Sequence, residues 1–355
     1  MGRNALTTTP STVPNLDFGS PPGNVPLFYY ADARQPSWLL ASDWTGKPRG
    51  TVKRSPDDGV FPLYASADGS SVVVGSTVYG PAGRKVPAWQ SGQGFPVWAD
   101  DSHHMCGFRG QPNAPSPPSD TTNIQVWLPG EQPVQVGPVT GRAGSLEVAA
   151  CSFQTNRVLV VERGPELGIR RWTVVALPDG RILHDQPPSV TGSQYLELVP
   201  SANGRYVSLM VMEPGPAGAS TISSTIQDAA TGAVLADLGR GVRVAKFSSD
   251  GAAILTLGPA PNDYSVTQWR TGKVVWTLSR KALADPHEVL QTMLTRPRGL
   301  GFVLAFWRPQ GDSCAGGAPR CTSAEASPQE ELLLVDSNGR QRIIARHVTL
   351  VSAGY

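Results

Sequence analysis

The 355-residue chain has no long hydrophobic run, no excess of either charge and only four cysteines. No apolar stretch approaches the roughly 18 residues that cross a bilayer as a helix, so membrane insertion by this chain is not expected. Thirty basic side chains face twenty-eight acidic ones, and no Lys/Arg run is long enough to neutralise a line of phosphates, so no nucleic acid partner is expected. Helical periodicity is also missing: only 280–293, "RKALADPHEVLQTM", has helix-like content, and Pro286 interrupts it. The opening residues, "MGRNALTTTPSTVPNLDFGSPPG", lack the charged-then-apolar pattern of a signal peptide. Residues 1–25 are rich in Thr, Ser, Pro and Gly and cannot bury a core; they read as a flexible tether, either to a removed export signal or anchor or as a frayed terminus.

Turn-forming residues are abundant. The 38 glycines and 33 prolines accompany 40% apolar residues, the composition of a globular chain with very many turns. Two patterns alternate. The first is a strand, a polar turn and a second strand: "LYASADGSSVVVG" (63–75), "VWADDSHHMCGF" (97–108), "AACSFQTNRVLVV" (149–161), "LVPSANGRYVSLMV" (198–211) and "AKFSSDGAAILTL" (245–257). The second is a hairpin with Gly near its tip, as in "LLASDWTGKPRGTV" (39–52), "IQVWLPGEQPVQV" (124–136), "WTVVALPDGRILH" (172–184) and "VTQWRTGKVVWTL" (266–278). Gly supplies the positive φ of a tight turn, and the Asp, Asn or Thr before it hydrogen-bonds the local backbone. β-Branched and aromatic residues fill the flanking runs, as buried strands require.

Joining one pattern to the next gives a four-stranded unit, A to D, repeating about every 47 residues over 27–355. This period and turn pattern resemble the seven-bladed β-propeller of the WD40, YVTN and TolB-like repeat superfamily. The resemblance implies an all-β fold of seven four-stranded antiparallel blades, a single domain over 26–355. It carries no family-level function, because no blade has the Gly-His and Trp-Asp dipeptides of true WD40 repeats. The segment "NVPLFYYAD" (24–32) opens a blade that lacks strand A, and "HVTLVSAGY" (347–355) reads as a strand A with no successor. Pairing the two would close the ring and remove two open sheet edges.

In such a fold the A–B and C–D turns share one face of the disc, and the B–C and D–A connections share the other. The first set is short and uniform here. Insertions fall in the second: 109–122, 163–171, 213–221, 258–265 and 308–329. Irregular loops on a rigid scaffold are where binding residues concentrate. The candidate contacts are therefore Trp307 and Arg308, which lead into the longest loop, with Arg109, Arg163, Arg170, Arg171 and Glu213 on the same face. The remaining tryptophans fall within strands, where packing between blades accounts for them.

Cys314 and Cys321 enclose a short Gly/Ala/Pro spacer, and bridging them would remove roughly 2.5 kcal/mol of unfolded-state entropy. Blade alignment puts Cys106 on strand B of blade three and Cys151 on strand A of blade four, so a second bridge is geometrically plausible; buried free thiols are the alternative. Two bridges would point to an oxidising, extracytoplasmic compartment, with a cytoplasmic location as the alternative. Zinc is not expected, since no paired Cys-x2-4-Cys spacing exists. His103 and His104 follow Asp100 and Asp101, but adjacent strand residues point to opposite faces, so a turn is expected there rather than a metal site. Asp312-Ser313 lacks a positioned base, so no catalytic residue is assigned and no cofactor is expected.

The expectation from sequence is a monomeric, non-enzymatic propeller that binds a protein, peptide or glycan through its B–C/D–A face. A hydrolase or lyase working at the mouth of the central channel, and a structural module of a larger assembly, are the alternatives.

Overall fold

The computed structural model describes residues 25–32, 37–54, 63–80, 85–88, 96–108, 121–141, 145–164, 168–186, 195–214, 220–258, 263–279, 289–296, 301–308, 329–336 and 338–352. Among these residues there is no helix. Five separate four-stranded antiparallel sheets form blades two to six. Blade two runs Leu63–Ala65, Val72–Val74, Thr77–Tyr79 and Lys85–Pro87; blade three runs Val97–Trp98, Met105–Phe108, Thr121–Trp127 and Val134–Thr140. Blade four comprises Leu146–Ser152, Arg157–Arg163, Ile169–Ala176 and Ile182–Gln186. Tyr195–Pro200, Tyr206–Pro214, Ser220–Asp228 and Val234–Arg240 make blade five, and Arg243–Phe247, Ala253–Leu257, Asp263–Gln268 and Lys273–Ser279 make blade six.

Blades seven and one share the last strand, Gln341–Ser352. Its first part pairs with Gln329–Val335, the third strand of blade seven after Val289–Thr295 and Phe302–Arg308. Its second part pairs with Leu27–Asp32 through Tyr29↔Ser352, Tyr30↔Val351 and Ala31↔Leu350, and Trp38–Asp43 and Pro48–Lys53 complete blade one.

The core shows why the blades form a ring. Alternate residues of a strand point to opposite faces, and in blade one Leu27, Tyr29, Leu39 and Ala41 pack with Val72 and Val74 of blade two. Their neighbours Phe28, Tyr30 and Leu40 pack the other way, against Val303, Leu332 and Leu334 of blade seven. In blade four, Val158 and Val160 face blade three while Leu159 and Val161 face blade five. Seven apolar clusters fill seven inter-blade interfaces. Each blade is thus buried on both faces, which is why its strands read as near-continuous apolar runs. The tryptophans serve this packing: Trp98, Trp127, Trp172, Trp269 and Trp276 are all buried, and the Trp127, Trp172 and Trp269 indoles donate to the backbone oxygens of Ala88, Ala229 and Gly251 in adjoining blades or turns.

The recurring Ser-x-Asp/Asn-Gly tetrad is the A–B turn. In blade six Ser248 Oγ donates to Asp250 Oδ1 at 2.6 Å and accepts from the Ala253 amide at 2.9 Å, and Gly251 sits at φ +71°. Blades two and five repeat it with Ser66, Asp68 and Gly69, and with Ser201, Asn203 and Gly204. A Cβ on Gly69 would lie 2.3 Å from the Leu27 carbonyl oxygen, so the same glycine permits both the turn and the approach of blade one.

Blade three breaks the pattern. Ala99 stands at the serine position, and Ser102 takes the left-handed conformation at φ 66°, which is uncommon for a residue with a side chain. Ser102 Oγ is the compensation: it accepts from the Asp68 amide of blade two at 2.9 Å.

Candidate functional site

Strand A lies against strand A of the next blade at the one–two, three–four, five–six and six–seven junctions, around the axis of the ring. Strand ends therefore sort onto two faces. The five long connections identified in the sequence all leave the end of a strand B and return at the start of a strand C, on one face.

Arg163, the last residue of strand B in blade four, pairs bidentately with Glu147 on strand A, with Nε to Oε2 at 3.0 Å and Nη2 to Oε1 at 2.6 Å. Arg171, at the start of strand C, donates Nε to Glu162 Oε2 at 3.1 Å, lies 3.4 Å from Asp185 and bonds the Thr140 carbonyl of blade three. Glu162 is only 8% exposed, so Arg171 compensates a nearly buried carboxylate. Arg170 is more open and reaches the same carboxylate at 3.9 Å. Further round, Arg243 of blade six holds Glu197 of blade five with both contacts at 2.9 Å. Fork-to-carboxylate pairing fixes the geometry of both partners, so the strand ends on the loop face from blade four to blade six present ordered charges of alternating sign.

Three of the sequence-derived residues, Arg163, Arg170 and Arg171, are thus brought together on blade four. Glu213, Trp307 and Arg308 occupy the loop-side ends of strand B in blades five and seven, with Glu213 opposite Thr221 and Arg308 opposite Gln329. The side chains of these three, and Arg109, Cys314 and Cys321, lie outside the described residues. Sequence reasoning missed Glu147, Glu162, Asp185, Glu197 and Arg243. Only Glu162 adjoins an insertion, the one signal the sequence offered; the others are paired by the meeting of neighbouring strands and blades, which no local pattern shows.

Cys106 and Cys151 form a disulfide joining strand B of blade three to strand A of blade four, with Cα atoms 6.2 Å apart. It crosses the interface filled by Val126, Val148 and Val158. Asp100 strengthens the same junction: Oδ1 accepts from the Phe153 amide at 2.8 Å and Oδ2 from the Ser152 hydroxyl. Burial nonetheless pushes the Asp100 carboxyl above its ordinary value. Asp101 accepts from the His103 and His104 amides and pairs with His104 Nδ1 at 2.5 Å, while the imidazole stacks on Phe153. This is a turn followed by a strand start, in which Asp101 orders the histidines.

One amine stands apart. Lys246, half-buried on the innermost strand of blade six, has no partner among the described residues, and burial pushes its pKa down to about 8.

No family model and no curated protein matches this sequence. Solved structures do. An oligogalacturonate lyase from Vibrio parahaemolyticus superposes with a TM-score of 0.50 at 11% identity, covering 84% of this chain and 88% of that one. The Swd1 β-propeller domain from Myceliophteria thermophila gives 0.44 at 12% identity over 75% and 86% of the two chains. A protein assigned as TolB from Agrobacterium tumefaciens gives 0.37 at 13% identity over 74% and 84%.

The chain is a seven-bladed β-propeller. At these identities the likeness is one of fold, and one fold hosts many chemistries. The propeller's own side chains must therefore carry the functional argument.

Proposed function

We propose that this propeller is an extracytoplasmic binding module that receives a protein, peptide or glycan ligand on its B–C/D–A face, without turning it over. The observation that carries the reading is the fork-paired rim. Glu147, Glu162 and Glu197 are each engaged by an arginine, an arrangement that holds a polar surface in place. The long connections leave from the strand ends beside that rim, and loops on a rigid scaffold are where binding residues concentrate. The Cys106–Cys151 bridge supports an oxidising compartment.

The test is to pan the immobilised protein against peptide and oligosaccharide libraries and repeat the selection with Arg163→Glu/Arg243→Glu. Loss of the selected ligands in that variant, with folding intact by circular dichroism, supports the reading. Retention of every ligand overturns the assignment to this face.

A competing reading has its own observation. Lys246 on the innermost strand, with a pKa near 8, is the kind of depressed amine that can act as a base or nucleophile at neutral pH. If a selected oligosaccharide is cleaved, and Lys246→Met abolishes cleavage while preserving binding, the propeller is an enzyme at its channel.

A further inference from the structure

Among the described residues, the tight-turn face of blades four to six carries three arginines with no carboxylate partner. Arg205, in the A–B turn of blade five, lies over the Tyr206 ring with its guanidinium carbon 5.3 Å from the centroid. Arg270, in the C–D turn of blade six, lies at the same distance from the same ring and 4.3 Å from the Trp269 centroid. The two charges are therefore no more than twice that first distance apart. Arg270 Nη2 also donates to the Tyr206 hydroxyl at 2.8 Å, and Trp269 Nε1 donates to the Gly251 carbonyl at 2.7 Å. Both rings are buried and both arginines are exposed. The two rings thus hold two cations at the surface, with N–H groups beyond the Tyr206 bond for a carboxylate to engage.

A third arginine adjoins them. A Cβ on Gly204 would lie 3.9 Å from the Arg157 Cγ, which places Arg157 of blade four beside the turn that carries Arg205. Its Nε and Nη1 are buried and have no hydrogen-bond partner among the described residues. Unmet buried donors are costly, and Arg157 as a whole is only half-buried, so its charge still reaches the turn face. The carboxylates on these blades do not supply one. Asp228 and Asp250 cap the amides of their own turns, and Asp179 sits 3.9 Å from Arg181. No ion pair joins any of them to Arg157, Arg205 or Arg270.

We propose that the A–B/C–D face of blades four to six is a second recognition surface, built to receive an acidic peptide segment of a partner protein through Arg157, Arg205 and Arg270. The short turns there make a shallow surface, on which a single small anion would remain hydrated. An extended chain bearing several carboxylates gains from engaging the three cations at once and brings backbone carbonyls as further acceptors.

The probe is a fluorescein-labelled oligoglutamate peptide, with oligoglutamine as the uncharged control, followed by fluorescence anisotropy on the full chain. Binding to oligoglutamate alone, weakened by added salt, is expected. Arg205→Gln/Arg270→Gln should lower the affinity about tenfold or more. The loop-face variant Arg163→Gln should leave it unchanged. Arg270→Lys, which keeps the charge and loses the planar fork, should fall between wild type and the double variant. Equal binding of both peptides, or an equal loss in Arg163→Gln, overturns the proposal. So does binding to phosphatidylglycerol vesicles with none to the peptide, which would make the surface a lipid contact. Oligoglutamate binding that survives Arg163→Glu/Arg243→Glu separates this surface from the loop-face reading, so each can fail alone.

Discussion

The two faces of the disc are built from the same strands and differ in how their charges are satisfied. On the loop face Arg163, Arg171 and Arg243 grip carboxylates across strands and blades. On the turn face most polar side chains cap their own turns, and Arg157, Arg205 and Arg270 are left to aromatic rings or to nothing. The difference follows from connection length. Short turns use their Asp, Asn and Ser side chains to hold the backbone, which takes up much of their capacity to pair with a neighbouring arginine; Asp43, which caps its turn with one oxygen and holds Arg49 with the other, does both. Long connections free the strand ends to pair with each other. The turn face is therefore stiffened by local turn bonds, and the loop face by pairs between strand ends.

Four measurements would break or sharpen that contrast. Cys106 and Cys151 lie at the turn-side ends of their strands, and their bridge closes a sequence separation of 45 residues. By chain entropy, Cys106→Ser/Cys151→Ser should cost about 4 kcal/mol, read by urea denaturation under non-reducing conditions. A loss near zero would show that packing and the Asp100 hydrogen bonds hold the blade three–four junction without the bridge.

Next comes Asp43, fully buried at the C–D turn of blade one. It accepts from the Thr45 amide and hydroxyl, the Lys47 amide and Arg49. Burial alone would raise its pKa, yet these bonds, led by Thr45, hold it below the ordinary 3.8. Because the folded value is depressed, its stabilisation is fully present above that ordinary value and is lost as the pH falls through the folded one. Asp43→Asn should cost about 3 kcal/mol at neutral pH, and less as the wild type is acidified. A constant difference from pH 7 to pH 3 would contradict the role of the charge.

Smaller effects complete the ranking. Ser201→Ala removes the hydroxyl that links Asn203 to the Tyr206 amide and should cost about 1 kcal/mol, as loss of a buried turn hydrogen bond does. Arg243→Gln, on the loop face, breaks a pair whose side chains are 46% and 27% exposed and should cost under about 1 kcal/mol. If the loop-face change were the larger, the local turn bonds would not be the stronger of the two.

Much of the fold was legible because its signals are local. "SADG", "SANG" and "SSDG" each encode a turn in which one serine and one acid or amide satisfy the backbone, and their spacing marks the blades. Cys106 and Cys151 could be placed on facing strands from that register. The site was less legible. Arg163 and Arg171 were reachable by their position beside an insertion, while Glu162 and Glu197 look like ordinary strand polars until the neighbouring strands are in place. The arginine and aromatic arc was invisible for the same reason: Arg205, Tyr206, Trp269 and Arg270 lie in two turns of different blades.

By itself, the sequence determined the strands, the turns, the number of blades and the face that carries the long connections, because period-two burial and turn chemistry act over a few residues. Only the tertiary structure decided which charges meet. Strand ends from different blades converge around one axis, and an ion pair or a cation over a ring depends on separations of a few ångströms between residues as far apart in the chain as Tyr206 and Arg270.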